Sequence, residues 1–238
     1  MEAWARVERY GALLEVIEET EAVSAAVGHT ADDRAETVLL ALLRGGGLEA
    51  LSGMRPVNRP FVRPLLDVTR EETVMFCRSL RLRPRRDPMN DDPSFMRVAI
   101  RRKVIPAIEK GVGRKVVASL ARTASLLEQD ADLLEDLARV AAAGVVARDG
   151  GSRLLLADHL RKLPPALAGR IVRRELLALG SLPEANQVEA VIGLASARPG
   201  RRLTLAGGLR ARREREYVRL EPPFPRAPTR TAAPAGGT

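Results

Sequence analysis

Ala22-Val23-Ser24-Ala25-Ala26-Val27-Gly28-His29-Thr30-Ala31-Asp32-Asp33-Arg34-Ala35-Glu36-Thr37-Val38-Leu39-Leu40-Ala41-Leu42-Leu43-Arg44-Gly45-Gly46-Gly47 is the stretch on which the fold turns. Its first six residues are an apolar run without alternation, the pattern of a strand buried on both faces. Gly28-His29-Thr30 turns the chain. Thr30 is placed to cap a helix from about Ala31 to Arg44, with Asp32 and Asp33 in a first turn whose dipole favours acids. The three glycines end that helix. Before the strand, residues 2–19 read as an amphipathic helix, with Trp4, Val7, Gly11, Leu14 and Ile17 at helical spacing. Helix, buried strand, turn, helix is the order of an α/β sheet.

Working outward, residues 48–66 are irregular, and Arg63-Pro64-Leu65-Leu66 reads as a short edge strand or an extended linker. Thr69 with Glu72 forms a capping box that opens a helix to about Leu80. Residues 83–95 are a polar loop. From Phe95 the pattern is mostly helical, over about 95–110, 112–147, 164–180 and 184–197. Residues 152–157 are a strand or a helix lead-in. Arg202–Leu205 and Tyr217–Leu220 read as strands around Gly207-Gly208. From Pro222 the chain is rich in Pro, Ala and Thr, the composition of a disordered tail. The expected organisation is an α/β part over 1–80, a helical region over 81–221 ending in a short β segment, and a tail over 222–238, with no internal repeat.

The 238 residues carry a net charge of +9. Of 39 basic residues, 35 are Arg and four are Lys. Arg forks onto phosphate and stacks on bases, which suits a nucleic-acid partner, although a GC-rich genome also favours Arg over Lys. Two basic clusters stand out, Arg78 to Lys103 and Arg198 to Arg219. Tyr217 is a lone aromatic in the second, too few for a base-stacking platform. The single cysteine, Cys77, excludes an intrachain disulfide and a zinc cluster, and its neighbours Val74, Met75, Phe76 and Leu80 suggest a core thiol. No apolar run approaches the roughly 18 residues of a membrane span, and the start has no signal-peptide pattern. The expectation is a cytoplasmic protein with no membrane association.

The helix after the turn carries the chemistry. Asp32 and Glu36 are four residues apart and Asp33 and Glu36 three apart, so these acids can share a face. Such a cluster can hold a hard cation such as Mg²⁺, or an amine. Capping acids with a surface salt bridge have the same spacing. His29, in the turn before the acids, reads as a positioning residue, and His159 as a helix-start or surface histidine.

The string from Gly28 to Leu48 resembles a signature of the tRNA(Ile)-lysidine synthase family. The resemblance continues, in order, through Glu49-Ala50-Leu51-Ser52-Gly53-Met54, Arg63-Pro64-Leu65-Leu66-Asp67-Val68-Thr69-Arg70, Asp87-Pro88-Met89-Asn90-Asp91-Asp92, Phe95-Met96-Arg97, Ile100-Arg101 and Ile105-Pro106. It covers about residues 2–110. The resemblance implies a partial Rossmann-like sheet followed by a mostly helical domain. It implies an ATP enzyme that adenylates C2 of the wobble cytidine of an isoleucine tRNA, where the amine of free L-lysine then displaces AMP. ATP and Mg²⁺ are the implied cofactors, and tRNA(Ile) and L-lysine the implied partners. Asp32, Asp33 and Glu36 are the implied catalytic acids, with Asp33 as the Mg²⁺ ligand. Gly28 and His29 would lie beside the nucleotide, and Arg97, Arg101 and Arg102 would face tRNA or phosphate.

The chain departs from the family at two points. It contains no Ser-Gly-Gly-x-Asp-Ser string, the loop whose N–H groups cradle phosphates at a helix N-terminus. Gly45-Gly46-Gly47 is no substitute, because it follows a helix C-terminus, where the dipole disfavours anions. Met1 to Arg6 aligns well inside full-length members, so the expectation is an N-terminally truncated synthase. A subunit of a split enzyme whose partner carries the loop, and a non-catalytic tRNA-binding remnant, are the alternatives, and a homodimer stays open. Val98 stands where the family has an Asn. A related tRNA thiolase would want paired cysteines, which Cys77 alone cannot supply.

Overall fold

The computed structural model describes the backbone of residues 2–85 and 95–223 and the side chains from residue 7 onward in those ranges. The motif stretch Asp87–Asp92, most of the polar loop and nearly all of the tail lie outside the described residues, as does the side chain of Trp4. Two compact units divide at Asp132/Leu133.

In the first unit, α1 (Glu2–Glu19) leads into β1 (Ala25–Ala26), and α2 (Ala31–Leu43) follows the turn. Then come α3 (Leu48–Leu51), β2 (Val57–Asn58), β3 (Phe61–Val62) and α4 (Arg70–Ser79). The three strands form one sheet in the order β1-β3-β2, with β1 parallel to β3 and β2 antiparallel to it. Several expectations need correction here. β1 has a single partner among the described residues, so it is an edge strand. Its residues are not sealed on both faces, and neighbouring Val23 is 84% exposed. The pairing segment near Arg63 lies two residues earlier, at Phe61–Val62, and is the central strand. On α1, Val7 and Leu14 are exposed rather than packed.

The helix signals were local and are realised locally. The Asp33 carboxylate accepts from the Thr30 backbone N–H (2.9 Å) and hydroxyl (3.0 Å), closing the first turn of α2. The helix buries Ala31, Ala35, Val38, Leu39 and Ala41. It ends as Gly45 takes φ +66° and the Gly46 N–H reaches back to the Ala41 carbonyl at 2.8 Å, a Schellman-type closure. The Thr69 side chain accepts from the Glu72 N–H and starts α4 as expected. However, α4 buries no residue and Cys77 is only half-buried, so the core-thiol expectation is overturned.

After the undescribed segment, α5 (Met96–Ala99), a π-helical turn (Ile100–Val104) and α6 (Ile105–Val112) run continuously. Ile100, Ile105 and Val116 pack on Leu39 and Leu40 of α2. Helix α7 (Val117–Ala142) contains the boundary between the units.

The second unit is a five-stranded antiparallel sheet with helices. Its strands are β4 (Val146–Asp149), β5 (Ser152–Leu156), β6 (Arg202–Thr204), β7 (Arg210–Arg213) and β8 (Tyr217–Glu221), in the order β4-β5-β8-β7-β6. Helices α8 (Ala157–Lys162), α9 (Pro165–Ala178) and α10 (Ala185–Leu194) contribute Leu160, Ile171, Leu176 and Val191 to a core shared with Leu155, Val218 and Leu220. The helix expected to run to residue 147 stops at Ala142. Val146–Asp149 instead pairs with Ser152–Leu155 across Gly150-Gly151, with Gly150 at φ +55°. Among the described residues, no helix is long and apolar enough to cross a membrane.

Candidate functional site

The acid helix and the arginine turn meet in the first unit. Arg101 projects from the π-helical turn, an irregularity often found at functional positions. Its Nε donates to Glu36 Oε1 at 2.5 Å and its Nη2 to Oε2 at 3.1 Å, a bidentate fork. The same Nη2 lies 3.5 Å from Asp33 Oδ1. Glu36 is wholly buried, and Arg101 is 25% exposed. Burial pushes the Glu36 carboxyl up from its ordinary range, and the Arg101 hydrogen bond and charge only partly pull it back. Burial acts against the Arg101 charge, but the Glu36 hydrogen bond and charge outweigh it and hold the guanidinium more firmly protonated.

Of the expected acids, Asp33 and Glu36 share a face and converge on Arg101. Asp32 turns away: its Oδ2 accepts from the backbone N–H of Arg70, the first residue of α4, at 2.6 Å. Arg97 Nη2 donates to Thr37 Oγ1 at 3.3 Å, which brings Arg97 to the next turn of α2. Arg102 is exposed on the π-helical turn. Val98, where an amide was expected from the family, is buried.

Gly28 and His29 follow β1 as expected, and His29 has a neighbour that the spacing could not reveal. Arg63 Nε donates to His29 Nδ1 at 3.2 Å, while Nη1 donates to the Arg55 carbonyl at 2.9 Å. Arg63 also lines a cavity of about 400 Å³ with Thr37, Ser52, Met54, Asn58 and Arg97, a size within the range of small-molecule sites. A second buried arginine, Arg34, donates to Glu128 at 2.5 Å across 94 residues of sequence and is 1% exposed. For Arg63 the signal was its place in the ordered motif series. For Glu128, one acid in a long helix, the sequence held none.

Asp33, the expected Mg²⁺ ligand, is engaged within the protein. Among the described residues no three Asp, Glu, His or Cys side chains gather as ligands. Asp33 already accepts from Thr30 and sits on Arg101, and Glu36 is closed off by its fork. Mg²⁺ bound with a nucleotide takes one or two protein carboxylates and fills its other positions with phosphate and water oxygens, and no step below runs through it.

The basic cluster of the second unit is more neutralised than its sequence suggests. Arg213 is buried and donates to the carbonyls of Glu214, Arg215 and Tyr217, stapling the β7–β8 turn. Glu214 bridges Arg212 and Arg219, and Arg219 also reaches Asp149 at 2.7 Å. The Arg219 hydrogen bond holds the Glu214 carboxyl below its usual range.

The chain thus pairs an α/β unit that carries an acid–arginine cluster with a unit built of an antiparallel sheet and helices. Residues 1–108 match the PP-loop domain, whose members bind ATP, and residues 155–219 match the TilS substrate binding domain. The chain is 40% identical to the tRNA(Ile)-lysidine synthase of Salinispora arenicola over 235 residues, covering 95% of this chain and 69% of that protein. It is 44% identical to that of Streptomyces coelicolor over 183 residues, covering 76% and 51%. With that of Mycobacterium tuberculosis it shares 42% over 180 residues, covering 76% and 54%. The chain belongs to the tRNA(Ile)-lysidine synthase family, ligases that form a carbon–nitrogen bond.

Proposed function

We propose that this chain takes part in the ATP-dependent ligation of free L-lysine to C2 of the wobble cytidine of tRNA(Ile). The observation that carries the reading is the Arg101 fork on wholly buried Glu36, with Asp33 beside it and Arg97 at the rim of the cavity. Glu36 serves as the holder of Arg101, since its carboxylate faces no open space. Arg101 and Arg97 supply fixed positive charge for a developing pyrophosphate or an RNA phosphate. Asp33, and Asp32 on the same turn of α2, are the carboxylates that would meet the lysine ammonium, through the oxygens their bonds to Thr30 and to the Arg70 N–H do not use. ATP, as co-substrate, supplies the adenylate that makes C2 open to attack. A segment or subunit carrying the Ser-Gly-Gly-x-Asp-Ser loop would cradle its phosphates, because the 238 residues contain no such string.

The test is mass-spectrometric detection of lysidine in a tRNA(Ile) transcript incubated with ATP, lysine and this chain, with and without a polypeptide bearing the loop. Lysidine is expected when the loop is present, and Asp33→Asn is expected to lower its yield at least tenfold. Tight transcript binding with no lysidine in either arm would instead favour a non-catalytic RNA-binding protein.

A further inference from the structure

The chain has two histidines, and the structure sets the hydrogen-bond partner of Nδ1 in each. A guanidinium carries N–H donors and no acceptor. When Arg63 Nε lies 3.2 Å from His29 Nδ1, the nitrogen lone pair must receive that bond. The proton of the neutral ring is then on Nε2. His159 is the opposite case. Its Nδ1 lies 2.7 Å from the Gly144 carbonyl oxygen, which only accepts, so there Nδ1 carries the proton.

Arg63 is itself held from several sides. It is buried, its backbone N–H donates to the Pro56 carbonyl at 2.8 Å, and its Nη1 donates to the Arg55 carbonyl at 2.9 Å. Its Nη2 reaches the Tyr10 hydroxyl at 3.4 Å. The Tyr10 ring meets Phe61 edge to face at 4.6 Å, and Phe61 pairs with Ala25 in the strand that leads to His29. The guanidinium is thus fixed to the strand pair whose end carries the imidazole.

We infer that Arg63 is a positioning residue that fixes His29 as its neutral Nε2–H tautomer, so that His29 serves the site as a hydrogen-bond donor and not as a proton acceptor. Nε2 already has its proton, and a proton can reach Nδ1 only by displacing an always-charged guanidinium. That functional consequence rests on the proposed function; the tautomer does not.

The experiment is ¹⁵N NMR of the full chain labelled at histidine, recorded without ATP or RNA at a pH where both rings are neutral. His159→Gln assigns the two sets of signals. The expected result is a lone-pair-type Nδ1 and a protonated Nε2 for His29, with the reverse pattern for His159. Arg63→Met, which has no N–H donor, should move His29 to an averaged mixture of tautomers, and Arg63→Lys, which keeps a charged donor, should restore the wild-type pattern. A protonated Nδ1 on His29 in the wild-type chain would overturn the inference, and so would a His29 pattern that Arg63→Met leaves unmoved. Should Arg63→Met fail to fold, the wild-type spectrum still decides. Since no substrate is present, a failure of lysidine formation would leave this result standing.

Discussion

Among the described residues, the second unit gathers nineteen buried apolar side chains into one cluster, from Ala138 on α7 to Leu220 on β8. The main apolar cluster of the first unit has five, around Leu39 and Ile100. Beside its sixteen buried apolar residues, which gather into no single large cluster, the first unit buries three charged side chains, Arg34, Glu36 and Arg63, against Glu175 and Arg213 in the second. Its strands are two residues long, against three to five in the second unit. The second unit is held by apolar packing, in which every methylene removed from water counts in the same direction. The first is held to a greater extent by charges that must stay paired. A buried pair adds little net stability but is costly to break from one side. This is a poor way to gain stability and a good way to fix side-chain positions, which is what a site needs.

The largest effect should come from breaking the pair. Arg101→Met leaves the wholly buried Glu36 carboxylate without its fork, and the expected cost is about 3–5 kcal/mol in chemical denaturation of the first unit. Adding Glu36→Leu should recover most of that loss. The sign with pH follows from burial, which places the folded carboxyl above its ordinary value. Its stabilising contribution is complete below the ordinary carboxylate range and is lost as pH rises through the raised value. Without Arg101 the carboxyl rises further, so the penalty should be smallest in acid and grow towards neutral pH. A penalty independent of pH, or a double variant no better than the single, would break the contrast between the units.

On the packing side, Leu155→Ala should cost about 3 kcal/mol, because this side chain is fully buried between the sheet and its helices. Unlike the loss at Arg101, this one should show no carboxylate-linked pH dependence. Measuring both variants across the same pH series therefore separates the two mechanisms without reference to their absolute size.

What the sequence revealed follows the same division. The caps of α2 and α4 were legible because Thr30, Asp33, Thr69 and Glu72 act within a few residues of one another. The Glu36–Arg101 fork closes over 65 residues, and only the ordered series of motifs hinted that Arg101 belonged to the site. Strand β7, Arg-Ala-Arg-Arg, has no apolar alternation to announce it, and its pairing with β6 and β8 imposes its conformation. The Val74–Cys77 run looked like core because it is apolar. Four consecutive helical residues point round the whole circumference, however, and α4 buries none of them. β1 was recognisable as a strand, but its burial was not, since burial depends on what lies beyond its other edge.

The smallest expected effect concerns Gly45-Gly46-Gly47, the segment most easily mistaken for a phosphate loop. A Cβ on Gly46 would lie 2.8 Å from Ala50 Cβ and 3.0 Å from the Ala41 carbonyl oxygen. Neither atom is the end of a flexible side chain, so Gly46→Ala should force the α2–α3 turn to open, at about 1–2 kcal/mol. A Cβ on Gly47 meets nothing within 4 Å, so Gly47→Ala should change stability by no more than about 0.5 kcal/mol, as substitutions away from packed features do. Both variants should bind ATP as the wild type does, measured in the presence of the loop-bearing polypeptide, because Gly45 and Gly46 close the C-terminus of α2 and Gly47 precedes only the single turn of α3. A loss of nucleotide affinity in Gly47→Ala without a loss of stability would give the segment a phosphate-binding part after all, and would move the functional boundary of the first unit to the opposite end of α2.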